Sequence, residues 1–184
     1  MGLKQQSKNM KTILKGVLFL VHTIVITVSC TSDDDKYYPN TVTVDGDRIE
    51  LKGAYTRDYK ERQEDYTFKY WHYLELFGGN IEYVNLEEMY NGTGFLFAAV
   101  LNTNSEKLEG GTYTFSAKDS PFTFSNAVYW TAFNPDRENP DPAFITSGTI
   151  KIVRSSEDAI HIDVTDTRGN RITGEYNLFI RGLY

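Results

Sequence analysis

From Thr41 onward the chain alternates apolar and polar residues with a period of two, broken at short intervals by turn-forming residues. Side chains on a strand point alternately to opposite faces, so this pattern specifies β-strands and leaves no room for a long amphipathic helix. Thr41-Val42-Thr43-Val44 and Arg48-Ile49-Glu50-Leu51 flank Asp45-Gly46, a pair that tolerates the positive φ of a tight hairpin turn. Asp58 to Asp65 reads as a charged loop, and Thr67 to Phe77 as the next strand, ended by Gly78-Gly79-Asn80. Ile81 to Val84 reads as a short strand, and Asn85 to Tyr90 is ambiguous between strand and a short helical turn. Gly94 to Leu101 is apolar at nearly every position, the pattern of a strand buried on both faces.

Asn102 to Gly111 reads as a loop, followed by strands at Thr112 to Phe115 and Pro121 to Thr131. Asn134 to Pro142 carries three prolines and is incompatible with either helix or strand. Gly148 to Val153, Ala159 to Thr165 and Arg171 to Ile180 read as consecutive antiparallel strands, with Asp166 to Asn170 as the last turn. The expected fold class is therefore all-β: an antiparallel β-sandwich or a lipocalin-like β-barrel of about eight to ten strands. No self-similarity at a fixed spacing supports a repeat protein.

The N-terminal segment obeys different rules. Lys4, Lys8, Lys11 and Lys15 precede an apolar run from Val17 to Val28, and no acidic residue occurs before Asp33. A helix of that run would span about 18 Å against roughly 30 Å of bilayer hydrocarbon. A basic region, an apolar region and a small residue, Ser29, ahead of the only cysteine, Cys30, read as a cleaved secretory signal. Met10 is an alternative start that leaves the mature chain unchanged. The expected organisation is a signal segment at 1–29, a modified cysteine and acidic tether at 30–40, and an all-β domain at 41–184.

Removing the signal takes four of the 19 Lys and Arg and none of the 25 Asp and Glu, a balance of −10 for the remainder. Such a chain repels phosphate backbones, so no nucleic-acid partner is expected. With Cys30 committed elsewhere no disulfide is available, and stability rests on a core for which 13 Tyr, 11 Phe and two Trp supply bulk.

Thr27-Val28-Ser29-Cys30 resembles a bacterial lipobox, with Thr27 where Leu is commonest, and Ser32-Asp33-Asp34-Asp35 resembles the acidic surface-export tag of Bacteroidota lipoproteins. The glycine-marked strands Gly110 to Phe115, Gly148-Thr149-Ile150 and Gly169 to Tyr176 are similar to those of small surface-exposed Bacteroidota lipoproteins with an uncharacterised all-β domain. The resemblance implies acylation of Cys30, an export signal at Ser32, Asp33, Asp34 and Asp35, and anchoring at the outer membrane facing the cell surface. Two or more acyl chains give stable anchoring where one is marginal. It carries over no binding or catalytic residue.

Candidates for chemistry are few. His72 is in phase with Tyr70, Leu74 and Leu76, as a core histidine bonded to a neighbour would be; His161 alternates onto the face opposite Ile160 and Ile162 and reads as solvated. No multi-histidine or multi-cysteine spacing suggests a metal site, and no cofactor is expected. The adjacent pairs Glu64/Asp65, Glu87/Glu88 and Glu157/Asp158 could serve glycoside hydrolysis only if two carboxyls faced one another roughly 5–9 Å apart, whereas strand neighbours point apart. Asp136, Glu138, Asn139 and Asp141 offer oxygen ligands to calcium without the usual loop order. Trp71 and Tyr73, opposite Phe68, Tyr70 and Leu74, and Tyr129, opposite Val128 and Trp130, are candidate ligand-binding aromatics; exposed, they would stack on sugar rings, and buried, they would fill the core. The expected function is a non-enzymatic surface module binding glycan or a protein partner. The alternative is a carrier whose Phe95, Phe97, Phe122 and Phe124 line an apolar cavity. A glycan hydrolase is the third reading.

Overall fold

The computed structural model describes residues 40–65, 68–84, 89–155, 158–177 and 181–183. The signal segment, Cys30, Ser32, Asp33, Asp34 and Asp35 lie outside the described residues. What is described is all strand and connection: β1 (Thr41–Val44), β2 (Asp47–Arg62), β3 (Phe68–Gly79), β4 (Glu82–Val84), β5 (Met89–Asn91) and β6 (Gly94–Thr103), then β7 (Gly111–Phe115), β8 (Thr123–Phe133), β9 (Ala143–Val153), β10 (Ala159–Asp166), β11 (Arg171–Tyr176) and β12 (Arg181–Leu183). The main sheet runs β1-β11-β10-β9-β7-β8-β6-β3-β2, and β1 also pairs with β2. That last pairing closes nine strands into a barrel, removing the free edges an open sheet would present. Of the two architectures expected from the sequence, the barrel is the one formed.

Local chemistry explains the closure. Asp45 and Gly46 have φ of 50° and 87°, the two positive values of a hairpin turn whose twist matches the flanking strands. β1 therefore folds back on β2 while its other edge accepts β11, with Val42 opposite both Ile49 and Gly174. The barrel interior is filled by residues two apart on each strand, among them Leu74 and Leu76, Phe95, Phe97, Ala99 and Leu101, Ile150 and Ile152, and Ile160, Ile162 and Val164. Each such side chain contributes roughly 1.5–3 kcal/mol of apolar burial.

β6 is buried on both faces, as its unbroken apolar run demands. Its outward Leu96 packs with Tyr55, Phe77 and Ile81, and partly buried Tyr83, Tyr90, Trp130 and Phe133 join them. The β4–β5 hairpin, a separate two-stranded sheet, thus lies over the outer face of β2, β3 and β6 and covers it.

Several boundaries differ from the sequence reading. Asp58 to Arg62 is strand, paired residue by residue with β3 up to Arg62 opposite Phe68. β6 reaches only Tyr70 of β3, so the end of the β2–β3 hairpin projects past the ring. Solvent reaches both of its faces, and charges there cost nothing. β9 begins at Ala143 rather than Gly148. β8 begins at Thr123 rather than Pro121, directly after Phe122 with its φ of 59°. The final segment is two strands, β11 ending at Tyr176 and β12 pairing with β2 in parallel. β7 also meets β8 in parallel, so the sheet is not purely antiparallel. Of the ambiguous segment, Tyr90 is strand, while 85–88 lies outside the described residues.

Candidate functional site

Alternation along β2 and β3 sends Ala54, Thr56 and Asp58 to the inner face and Tyr55, Arg57 and Tyr59 to the outer one. Register then places Tyr55 opposite Glu75, Arg57 opposite Tyr73, and Tyr59 opposite Trp71. The Tyr59 and Trp71 rings lie nearly parallel, 8° apart with centroids separated by 5.9 Å, the offset geometry aromatic pairs favour. Tyr59 is 43% exposed and Trp71 half-buried, so the stack leaves part of its aromatic surface to solvent beyond the hairpin that covers the neighbouring rows. Lys69 Nζ sits 5.9 Å from the Trp71 ring centre and is neutralised by Asp119 Oδ2 at 2.6 Å.

Toward the hairpin the same face becomes polar and buried. The Tyr90 hydroxyl donates to Glu75 Oε2 at 2.6 Å. Burial pushes the Glu75 carboxyl above the usual carboxylate range, against the opposing pull of Tyr90 and Arg57. Burial likewise raises the Tyr73 and Tyr90 hydroxyls, with Glu75 adding to both. For Arg57, burial works against the charge, but the nearby Tyr83 and Tyr59 oxygens and Glu75 more than offset it. Proximity is not satisfaction: Arg57 Nε and Tyr83 Oη are both buried and complete no hydrogen bond.

The structure thus brings Trp71 and Tyr73 together on the outer face and adds Tyr59, Arg57 and Glu75. Tyr129 is not with them. It points into the barrel, 5% exposed, and donates to Asp166 Oδ2 at 2.9 Å. Tyr59 escapes the sequence reading because Asp58 to Asp65 reads as a loop, and Arg57, just before that loop, is not singled out. The signal that could have found them is the alternation of Tyr55, Arg57 and Tyr59 continuing into the charged run.

His72, which its phase on β3 makes a half-buried core histidine if that face is inward, is fully buried. Hydrogen bonds join its Nδ1 to Asp58 Oδ1 at 2.6 Å and its Nε2 to Thr103 Oγ1 at 2.9 Å. A hydroxyl, imidazole and carboxylate in a row resemble a nucleophilic triad. Here the order of access is inverted: the Asp58 side chain is 41% exposed, whereas Thr103 is buried and its hydroxyl donates to the Ser105 carbonyl. The chain ties β2, β3 and β6 together at one end of the barrel and offers substrate no hydroxyl.

The other candidates are scattered. The His161 side chain is 41% exposed beside Glu175. Asp158 is paired with Arg154 at 2.9 Å, Glu64 and Asp65 are exposed near the tip of the β2–β3 hairpin, and Glu87, Glu88 and Glu157 lie outside the described residues. Asn139 Oδ1 is occupied by the Asn134 amide at 2.6 Å. Among the described residues no three His, Cys, Asp or Glu side chains converge as metal ligands would. Phe95, Phe97 and Phe124 are buried in the packed interior, but Phe122 is 37% exposed and belongs to the surface.

Comparison of the chain with protein-family models, with curated proteins and with solved structures finds no match. What the arrangement can do must come from its chemistry. A flat aromatic pair bordered by tyrosine hydroxyls and a guanidinium suits a ligand with one apolar face and polar edges.

Proposed function

We propose that this chain is a lipid-anchored outer-membrane protein, acylated at Cys30 and facing the cell surface, whose barrel is a non-enzymatic binding module for glycan. The observation that carries the binding reading is the stacked Tyr59–Trp71 pair. A pyranose ring has C–H faces that pack on an aromatic plane and hydroxyls at its rim, and the platform is bordered by Tyr73 and Arg57. Base stacking on aromatic surfaces, an analogous contact, is worth roughly 1–3 kcal/mol per ring.

The test is a glycan-array screen with the detergent-solubilised protein, followed by titration of the strongest hit against Trp71→Ala and Tyr59→Ala. Affinity should fall about tenfold or more in each variant, with melting temperature within a few degrees of the parent. Binding that survives the double substitution would remove the platform as the site. The anchor is tested separately: Cys30→Ala should release the protein from the outer-membrane fraction, and a variant that stays membrane-bound speaks against acylation there.

A further inference from the structure

We propose that the Tyr59–Trp71 platform takes a short acidic oligosaccharide, with a sugar ring against the Trp71 indole and its carboxylate against the Arg57 guanidinium. This deepens, and rests on, the glycan reading above. Of the Lys and Arg side chains whose burial is described, Arg57 and Lys69 are half-buried and the rest exposed, and of these two only Lys69 has a carboxylate partner. Lys60, Lys69, Arg154 and Arg171 each reach a carboxylate at 2.6–2.9 Å, whereas Arg57 makes no ion pair among the described residues. The sequence holds 25 carboxylates, so this is not for want of acids.

The carboxyl on the strand opposite, Glu75, is a poor counter-ion. It is 8% exposed and already receives the Tyr90 hydroxyl, and its burial favours the neutral acid. Arg57 is therefore held charged between Tyr59 and Tyr83 with Nε buried and unbonded. The Arg57 side chain is half-buried rather than enclosed, and the terminal nitrogens of a planar guanidinium fork fit a carboxylate with two parallel hydrogen bonds. Position completes the case. Arg57 and Tyr59 are two apart on one face of β2, a separation of about 6.8 Å along the strand. That spans one sugar ring, so a ring on Trp71 carries its carboxylate into reach. The charge balance of −10 outside the signal segment opposes long polyanions at a distance, which favours a short ligand engaged at contact.

The experiment is calorimetric titration of the full chain in detergent with short oligomers of galacturonate, guluronate and glucuronate. Each acid is compared with its own methyl ester, which keeps the ring and removes the charge. At least one acid should bind about tenfold or more tighter than its ester, and Arg57→Gln should abolish that preference, acid and ester then binding alike. If Arg57→Gln does not fold, Arg57→Lys keeps the charge but not the fork and should lose part of the preference; unchanged preference would overturn the assignment. Equal binding of acid and ester overturns it too, as does a preference that survives in Arg57→Gln. Binding of neutral glycans alone refutes the acidic ligand but leaves the platform standing. No binding by any glycan, acidic or neutral, overturns both.

Discussion

Two buried carboxyls in this barrel are both pushed upward by burial yet end with opposite net shifts, and the difference lies in how many donors each receives. Glu75 receives one hydroxyl, so burial prevails and its pKa is raised. Asp166 is 2% exposed, and burial pushes it upward too. Yet Tyr129, the Arg168 and Asn170 amides and the Asn170 side chain all donate to it, and together they hold it below the ordinary aspartate value. The pH consequences have opposite sign. The folded state retains the Glu75 proton longer than the unfolded chain does, so stability falls as pH rises from about 4.3 through the folded value. Glu75→Gln keeps an acceptor for Tyr90 and should gain on the order of 1 kcal/mol over the parent between pH 3 and pH 8 in thermal melts. A gain that shrinks with rising pH would refute this account. Asp166 contributes stability above about pH 4, lost as pH falls through its depressed folded value. Asp166→Asn should cost about 1–3 kcal/mol at pH 7 and flatten the acid limb, and a variant with an unchanged acid limb would sink the claim. At this scale the sequence was half legible. That Trp71 and Tyr73 share one face of β3 could be read from the alternation, but not that this face is outward, and Tyr129 could not be assigned either, because outward Val128 and Trp130 are as apolar as a core face.

At the scale of elements, the outer hairpin explains most of what alternation failed to reveal. Covering one face of β2, β3 and β6 gives those strands apolar residues on both sides and erases the inside–outside contrast, while the projecting end of β2 has solvent on both sides and erases it again. β6 alone announced its state, by a run apolar throughout. Beneath the outer hairpin, β2 and β3 approach closely: the Phe77 ring lies over Gly53, where an added Cβ would stand 2.0 Å from Cζ. Gly53→Ala should destabilise by about 1–3 kcal/mol in denaturant unfolding. Adding Phe77→Ala should then cost less than Phe77→Ala costs the parent, a coupling of about 0.5–3 kcal/mol. Strict additivity would mean that the ring moves aside freely.

For the whole molecule, closure concentrates stability at β1, a strand of only four residues. Val42 is fully buried where β1 joins both β2 and β11. Val42→Asp should therefore open the ring and abolish cooperative unfolding, by placing an unpaired charge in the interior. A variant that still melts in one sharp transition would show that the remaining eight strands hold together without the seam. The aromatic wealth and lone cysteine foretold a disulfide-free core; they did not foretell closure, which depends on a pairing between residues far apart in the chain, Thr41 with Glu175.

That pairing has a consequence for order in time. A chain that emerges N-terminus first, from a ribosome or through a pore, presents β1 at once and β11 only near its end. The hairpin of β1 and β2 can form early, but the ring cannot shut until residue 175 has followed. Until then the chain remains threadable, and the last strands to appear lock the first in place.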